Sequence, residues 1–187
     1  MDRLLTALLL VSASGLAANS PRFASTVNTT PAAGDLGSNG MSATAIATDA
    51  HGNTYLAGAV SNSPFIATPG AFQAQSAGGY CHTGSAGIAP PLPIPSVNTF
   101  VIKLDPTGAV VFATYLGGTG NAAPSAIAVD SQQGVYVAGT VTQADDLSAG
   151  PSTGFPVTPN PAFTSAKGIT GFVSKLNASG TQLQYSS

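Results

Sequence analysis

The stretch AIATDAHGNTYLAG, residues 45–58, returns 81 positions later as AIAVDSQQGVYVAG, residues 126–139. In both copies, small or apolar residues alternate with polar ones on either side of a segment that begins with Asp, DAHGN or DSQQG. The alternation predicts half-buried β-strands. Asp and Gly favour a tight turn, because Asp bonds the backbone two residues on and Gly accepts a positive φ. The sequence therefore predicts one β-hairpin that occurs twice.

Other segments recur in the same order outside the hairpins. One pair predicts a third strand that closes in a turn with Asp or Asn first and Gly last, and another predicts a fourth strand. The period is about 80 residues, and no window has the apolar spacing of a helix. The paired segments are FIATPGAF (65–72) with FPVTPNPAF (155–163), FVIKLDPTG (100–108) with FVSKLNASG (172–180), and AVVFATYL (109–116) with TQLQYSS (181–187).

The polar residues of the hairpin tips favour turn geometry over a metal site. One carboxylate per turn falls far short of the roughly six to eight oxygen ligands that Ca²⁺ takes. Leu116 with the two glycines after it predicts a turn between the two units. The residues to which we assign a turn or structural role are Asp49, Gly52, Asn53, Asp130, Gly134, Gly117 and Gly118.

The N-terminal residues 1–17 have the pattern of a secretory signal peptide. Arg3 precedes the apolar run Leu4–Val11, and small residues follow with a cleavage site after Ala17. The apolar run is too short to span a bilayer, and the alternative is a buried N-terminal helix. We expect a secreted, periplasmic or cell-surface protein, with residues 18–35 as an irregular linker.

Composition argues against several function classes. Only 6% of the 187 residues are charged and the net charge is −2, so no clustered basic face is available for nucleic acid. Cys81 is the single cysteine, so it has no partner for a disulfide within the sequence. Cys81 and His82 are adjacent without a second pair of ligands, which does not make a zinc site. We therefore expect no cofactor and no metal.

The repeated motifs resemble a known family. SAIAVDSQQGVYVAGT, FPVTPNPAF, GFVSKLNASG and VVFATYLGGTG are similar to the repeats of the SBBP family of bacterial β-propellers. The resemblance implies an all-β fold made of propeller blades. It places blade 1 at 36–115 with a long insert at 61–97, and blade 2 at 116–187 with a truncated outer strand. From the innermost strand outward, the implied strands are 43–48, 54–60, 100–104 and 110–115, then 125–129, 135–141, 172–176 and 183–187.

The number of blades affects what partners are expected. Closed propellers contain about four to eight blades, and this sequence holds two, so the propeller is incomplete and open. We expect a fragment of a longer product, and the alternative is a ring built from several copies of the chain. The partners implied are further blades or other copies, together with an unknown protein or glycan bound through the loops.

The residues predict a non-enzymatic interaction scaffold. The inner strands offer Ala, Ile, Thr and Val, with none of the clustered acid, base or nucleophile that catalysis needs. Two alternatives stay open, a fragment of a secreted enzyme acting on polysaccharide and a truncated product without independent function. Lys103 and Lys175 are interpreted as solvated lysines. Loops on a rigid frame often carry function, and the candidate contact segments are 65–72, 80–95 and 143–158. Within them the candidate contact residues are Phe65, Phe72, Tyr80, Cys81, His82 and Phe155.

Overall fold

The computed structural model describes residues 40–61, 65–78, 80–82, 93–142, 154–161 and 169–187. Across these ranges the chain folds into ten strands and no helix, so no described helix is available to cross a membrane. The strands are β1 Met41–Thr48, β2 Thr54–Val60, β3 Tyr80–His82, β4 Pro93–Pro95, β5 Asn98–Leu104, β6 Val110–Leu116, β7 Asn121–Val129, β8 Val135–Thr142, β9 Ile169–Leu176 and β10 Leu183–Ser186.

Eight of these strands form two antiparallel sheets of four. The first sheet has the order β1-β2-β5-β6 and the second has the order β7-β8-β9-β10, so that each strand pairs with the next along the chain once the insert is set aside. This order confirms the predicted all-β fold of two four-stranded units in an incomplete propeller. We refer to the first sheet as blade 1 and to the second as blade 2.

The two blades share an irregularity in their first strands. The pairing of β1 with β2 shifts between Ala43 and Ala45, and that of β7 with β8 shifts between Pro124 and Ala126, at equivalent positions. A bulge of this kind re-aims a side chain and bends the strand. Here the bulged Thr44 donates its hydroxyl to the Pro124 carbonyl at 2.9 Å, which joins the two first strands.

The largest hydrophobic cluster lies between the two sheets. Blade 1 contributes Tyr55, Ala57 and Val101, which are all 0% exposed, and blade 2 contributes valines of β8 with Phe172 and Leu176 of β9. Because side chains alternate across a strand, the intervening residues of blade 1 point the other way. They form a second cluster that is centred on Phe100, Ile102 and Leu104.

The insert of blade 1 contains structure that the sequence did not predict. Residues 61–97 read as a long loop, but Tyr80–His82 and Pro93–Pro95 pair as a two-stranded antiparallel sheet. The strand signal was hidden because prolines occupy two of the three positions of β4, and proline is rare in strands outside their edges. The predicted signal peptide, its cleavage site at Ala17 and the linker 18–35 lie outside the described residues.

Candidate interaction surfaces

The tip of the blade 1 hairpin is organised by one carboxylate. Asp49 Oδ1 accepts hydrogen bonds from the backbone N–H groups of His51 and Asn53, at 2.9 and 3.0 Å. Its Oδ2 accepts from Asn53 Nδ2 at 2.7 Å and from the Tyr55 hydroxyl at 2.9 Å. Burial raises the pKa of Asp49, but these hydrogen bonds outweigh it and hold the pKa below its ordinary value. Gly52 takes the positive φ, 81°, that the turn requires.

The tip of the blade 2 hairpin uses its carboxylate differently. Asp130 Oδ1 accepts from the backbone of Gln132 and Gly134 at 3.0 and 2.7 Å, but Oδ2 binds Lys175 Nζ at 2.8 Å. The Lys175 ammonium lowers the pKa of Asp130, and Asp130 in turn raises the pKa of Lys175. Gln133 stands where blade 1 has Gly52 and adopts a φ of 63°.

A single position explains why the two carboxylates differ. In blade 1 the Asn53 amide occupies Asp49 Oδ2, whereas the equivalent residue of blade 2, Gly134, has no side chain to do so. A Cβ atom at Gly134 would lie 2.6 Å from Lys175 Cε. The absence of a side chain at Gly134 therefore gives Lys175 the space in which it reaches Asp130.

Lys103 is buried, so the interpretation of this residue as a solvated lysine is wrong. It lies on β5, between β2 and β6, and is 6% exposed. Its Nζ donates to Gln133 Oε1 at 2.6 Å and stands 5.3 Å from the centroid of the Tyr55 ring. Blade 2 closes over Lys103, and through Gln133 it supplies the acceptor that a buried ammonium needs. Lys175 is partly exposed, with 24% of its side chain accessible.

The glycines between the blades lie in a confined space. Gly117 and Gly118 are buried, and the Gly117 N–H donates to Gln73 Oε1 at 3.0 Å. A Cβ atom at Gly117 would stand 2.5 Å from Asn98 Oδ1. The connection between β6 and β7 thus passes close to β5, and a side chain at Gly117 would require Asn98 to move.

The candidate contact phenylalanines pack onto the blades. The Phe65 ring stacks on Phe100 with centroids 5.4 Å apart and meets the Tyr115 ring edge-on at 4.8 Å. In blade 2, Phe155 packs on Phe172 in the equivalent place at 4.5 Å. Phe72 is likewise half-buried, against the cluster between the sheets. Tyr80, Cys81 and His82 form β3, and their role in contacts stays a prediction.

A threonine holds each of these loops to the outer strand of its blade. Thr68 N donates to the Ala113 carbonyl at 2.9 Å, and Thr68 Oγ1 accepts from Ala113 N at 3.0 Å. Thr158 makes the same two bonds to Ser186, both at 3.1 Å. An outer strand presents unpaired backbone groups to which other chains can add. The two threonines satisfy part of that edge from within the chain.

The phenylalanine and threonine anchors leave apolar side chains at the surface. Ile66 is 61% exposed and Val157 is 54% exposed. Each lies in the sequence between the phenylalanine and the threonine that anchor its loop. Both residues lie within the predicted contact segments 65–72 and 143–158, but the sequence analysis named the phenylalanines as contact residues and not these two. A signal was present, because an aliphatic residue in a short loop that already has an aromatic anchor has little room left in the core.

The acidic, histidine and cysteine side chains of the described residues stand apart from one another. No three His, Cys, Asp or Glu side chains come together there in a group that could hold a metal ion. His51 Nδ1 lies 3.9 Å from Asp49 Oδ2, beyond hydrogen-bond distance, at the exposed hairpin tip. His51 and Asp49 are thus parts of the hairpin turn at residues 49–53.

Comparison with known families identifies the repeat. Residues 111–142 match the family model of SBBP, a β-propeller repeat. The chain carries an SBBP-type repeat. The matched segment begins on β6, the outer strand of blade 1, and continues through β7 and β8 of blade 2. A search of the curated proteins finds no match.

Proposed function

We propose that the protein is an exported, non-enzymatic β-propeller scaffold that binds a protein partner through the loops at Phe65–Phe72 and at 154–161. The observation that carries the proposal is that both loops are fixed to their blades at two points and still expose aliphatic side chains. The phenylalanine ring and the threonine clamp hold each loop, while Ile66 and Val157 stand in solvent. Pre-ordered loops bind with less loss of conformational entropy than mobile ones.

The chemistry of the exposed residues favours a protein partner over a glycan. Ile66 and Val157 offer aliphatic surface, whereas the charged groups of the described chain lie mainly in turns and between the blades. Burying an aliphatic side chain of this size against a partner contributes about 1.5–3 kcal/mol when it is fully removed from water. The loops thus fit a partner that presents an apolar patch.

Photo-crosslinking in the producing cell tests the partner. Benzoylphenylalanine placed at Ile66 or at Val157 should give covalent adducts with one common protein. Thr107, an exposed residue of the turn after β5, is the matched control and should give no such adduct. Adducts of the same pattern from all three positions, or none from Ile66 and Val157, would overturn the proposal.

Export is supported by the pattern of residues 1–17 and has its own test. N-terminal sequencing of the protein recovered outside the cytoplasm should begin at Ala18. Leu8→Asp places a charge in the apolar run of the signal peptide and should leave the uncleaved chain in the cytoplasm. An intact N-terminus on the wild-type chain, retained in the cytoplasm, would contradict export.

A further inference from the structure

One buried polar side chain near the connection between the blades lacks a partner among the described residues. Asn98 is the first residue of β5 and is 0% exposed, and neither Oδ1 nor Nδ2 of its amide makes a hydrogen bond there. Side chains alternate along a strand, so Asn98 lies on the same side of β5 as Phe100 and Ile102, which belong to an apolar cluster. An unpaired amide in such a place is unfavourable, and buried polar groups are nearly always bonded.

Polar groups close to Asn98 in the chain or in the sheet have partners of their own. Ser96 and Thr99 each donate a hydroxyl hydrogen to a backbone carbonyl, at 2.9 and 3.1 Å. The Gly117 N–H donates to Gln73 Oε1 at 3.0 Å. Among these neighbours, Asn98 is therefore the exception that needs a separate explanation.

The strand pairing does not require an amide at this position. Asn98 pairs with Val60 in the way that Thr170 pairs with Val141 in blade 2. Thr170 is half-buried, and a hydroxyl side chain there takes part in the same strand pair. The amide of Asn98 must therefore be explained by what surrounds it in blade 1.

Gly117 provides the space that the Asn98 amide occupies. A Cβ atom at Gly117 would stand 2.5 Å from Oδ1 and 2.9 Å from Cγ of Asn98. Gly117 does not have the positive φ that several other glycines of the chain adopt. The glycine is thus explained by the room that it leaves for the amide, and not by its backbone conformation.

The chemistry of the amide restricts the ligand that suits it. Oδ1 accepts hydrogen bonds and Nδ2 donates them, so a ligand that satisfies both must donate and accept. A metal ion would serve only Oδ1 and an anion only Nδ2, and either would bring a charge to the edge of an apolar cluster. Water is small and uncharged and has both functions, and buried waters commonly bond polar groups that the protein leaves unpaired.

We propose that Asn98 binds an internal water molecule where β5 meets the connection from β6 to β7, residues 117–120. The water donates to Oδ1 and accepts from Nδ2. Its second hydrogen goes to a backbone carbonyl, since a carbonyl that is already bonded keeps a second lone pair. The water joins β5 to the segment that links the blades. This proposal is independent of the loop proposal.

NMR of the wild-type chain tests the proposal directly. In water-selective experiments, the Nδ2 hydrogens of Asn98 should show an NOE to water and an ROE of opposite sign. Opposite signs distinguish a long-lived bound water from exchange of the amide hydrogens with solvent. Thr99→Val removes the hydroxyl of the next residue, and the signals should remain. Loss of the signals in Thr99→Val, equal signs, or no signal at Asn98 in the wild-type chain would overturn the proposal.

A pair of matched variants tests whether Asn98 holds the water. Asn98→Leu replaces the amide by an apolar group of similar size, so the Gly117 N–H should lose the water NOE that we expect in the wild-type chain. Thr170→Leu is the control at the equivalent position of blade 2 and should leave the signals of Asn98 and Gly117 unchanged. A water NOE that persists at Gly117 in Asn98→Leu would contradict the proposal. If Asn98→Leu does not fold, the signals of Asn98 in the wild-type chain and in Thr99→Val decide.

Discussion

The two hairpins have nearly the same sequence but hold their lysines in different ways. In blade 1, Lys103 is buried and donates to Gln133 of the other blade. Asp49 Oδ2 accepts hydrogen bonds from Asn53 and Tyr55 instead of pairing with the lysine. In blade 2, Lys175 is partly exposed and pairs with Asp130 of its own blade. Equivalent residues of the two repeats, such as Lys103 and Lys175, therefore make different contacts according to which part of the chain packs against them.

Local sequence accounts for one part of this difference and the neighbouring blade for the other. The exchange of Asn53 for Gly134 frees a carboxylate oxygen of Asp130 for Lys175. The burial of Lys103 depends instead on blade 2, which brings Gln133 over it. Substitutions within one hairpin should therefore affect stability less than substitutions at the contact between the blades, and denaturation measurements can compare the two.

The largest effect is expected from paired truncation of the equivalent tyrosines. Tyr55→Ala removes a ring that is fully buried between the blades and should lower the free energy of unfolding by about 3–5 kcal/mol. Tyr136→Ala removes a ring that is 37% exposed and should cost about 1 kcal/mol. Urea denaturation of both variants checks the difference. Equal losses would mean that the side of blade 2 that carries Tyr136 is as well covered as the side of blade 1 that carries Tyr55.

This pair of tyrosines also shows how far the sequence could lead. Alternation and turn residues were sufficient to predict the hairpins and the two four-stranded units, because these features are encoded locally. The order of the strands within each unit came from the resemblance to SBBP repeats. The two tyrosines occupy the same place in their repeats, so no local pattern distinguishes the buried Tyr55 from the exposed Tyr136. That distinction depends on which face another blade covers.

Lys103 is a second case, in which the candidate site was missed. A lysine on a strand is usually solvated, and the sequence does not show that Gln133, 30 residues further on, lies 2.6 Å from its ammonium group. Such a contact depends on how one sheet packs across another. Ile66 and Val157 differ from Lys103 in this respect, because they lie in the predicted contact segments and only their exposure, 61% and 54%, had to come from the structure.

The next largest effect is expected at the contact between the blades. Gln133→Gly removes the acceptor of Lys103, worth about 1.5–3 kcal/mol for a bond to a charged group. It also relieves the strain of the positive φ at position 133, of order 1 kcal/mol. The net result should be destabilisation by about 1 kcal/mol in urea unfolding.

Lys103→Met provides the matching background, since it removes the ammonium that needs the acceptor. In that background Gln133→Gly should change the stability by less than about 0.5 kcal/mol or raise it slightly. The relief of strain is then opposed only by the loss of an exposed contact, 3.4 Å, between Gln133 Nε2 and His51 Nδ1. The same loss in both backgrounds would show that Gln133 does not act through Lys103.

A smaller effect is expected from making the blade 2 hairpin resemble that of blade 1. Gly134→Asn places a side chain where Lys175 Cε now lies, at 2.6 Å from the new Cβ, and gives Asp130 an amide donor in place of the ammonium. Lys175 is flexible and should move into solvent. NMR of the lysine Nζ should show its pKa returning toward the ordinary value. An unchanged lysine pKa would contradict the role assigned to Gly134.

The smallest effect is expected in the pH dependence of stability, and it has a definite sign. Lys175 lowers the pKa of Asp130, so the pair stabilises the fold above the unfolded carboxyl pKa, about 3.9, and loses this as pH falls through the lower folded value. Asp130 raises the pKa of Lys175, so the stabilisation is complete below about pH 10.4 and is lost as pH rises through the folded value. Asp130→Asn keeps the turn acceptor and removes the charge. Its stability deficit against wild type should thus be greatest between these limits and shrink on both sides.

Asp105→Asn separates the ion pair from the turn. Asp105 also has a lowered pKa, but the cause is hydrogen bonding to Thr107 and to the backbone of its turn. Its deficit should therefore shrink in acid and persist in alkali, where the deficit of Asp130→Asn falls away. Urea midpoints of the three proteins at pH 2.5, 7 and 11 distinguish the cases. If both variants keep their full deficit in alkali, Lys175 contributes no charge to the stability of blade 2, and the two hairpins differ only in geometry.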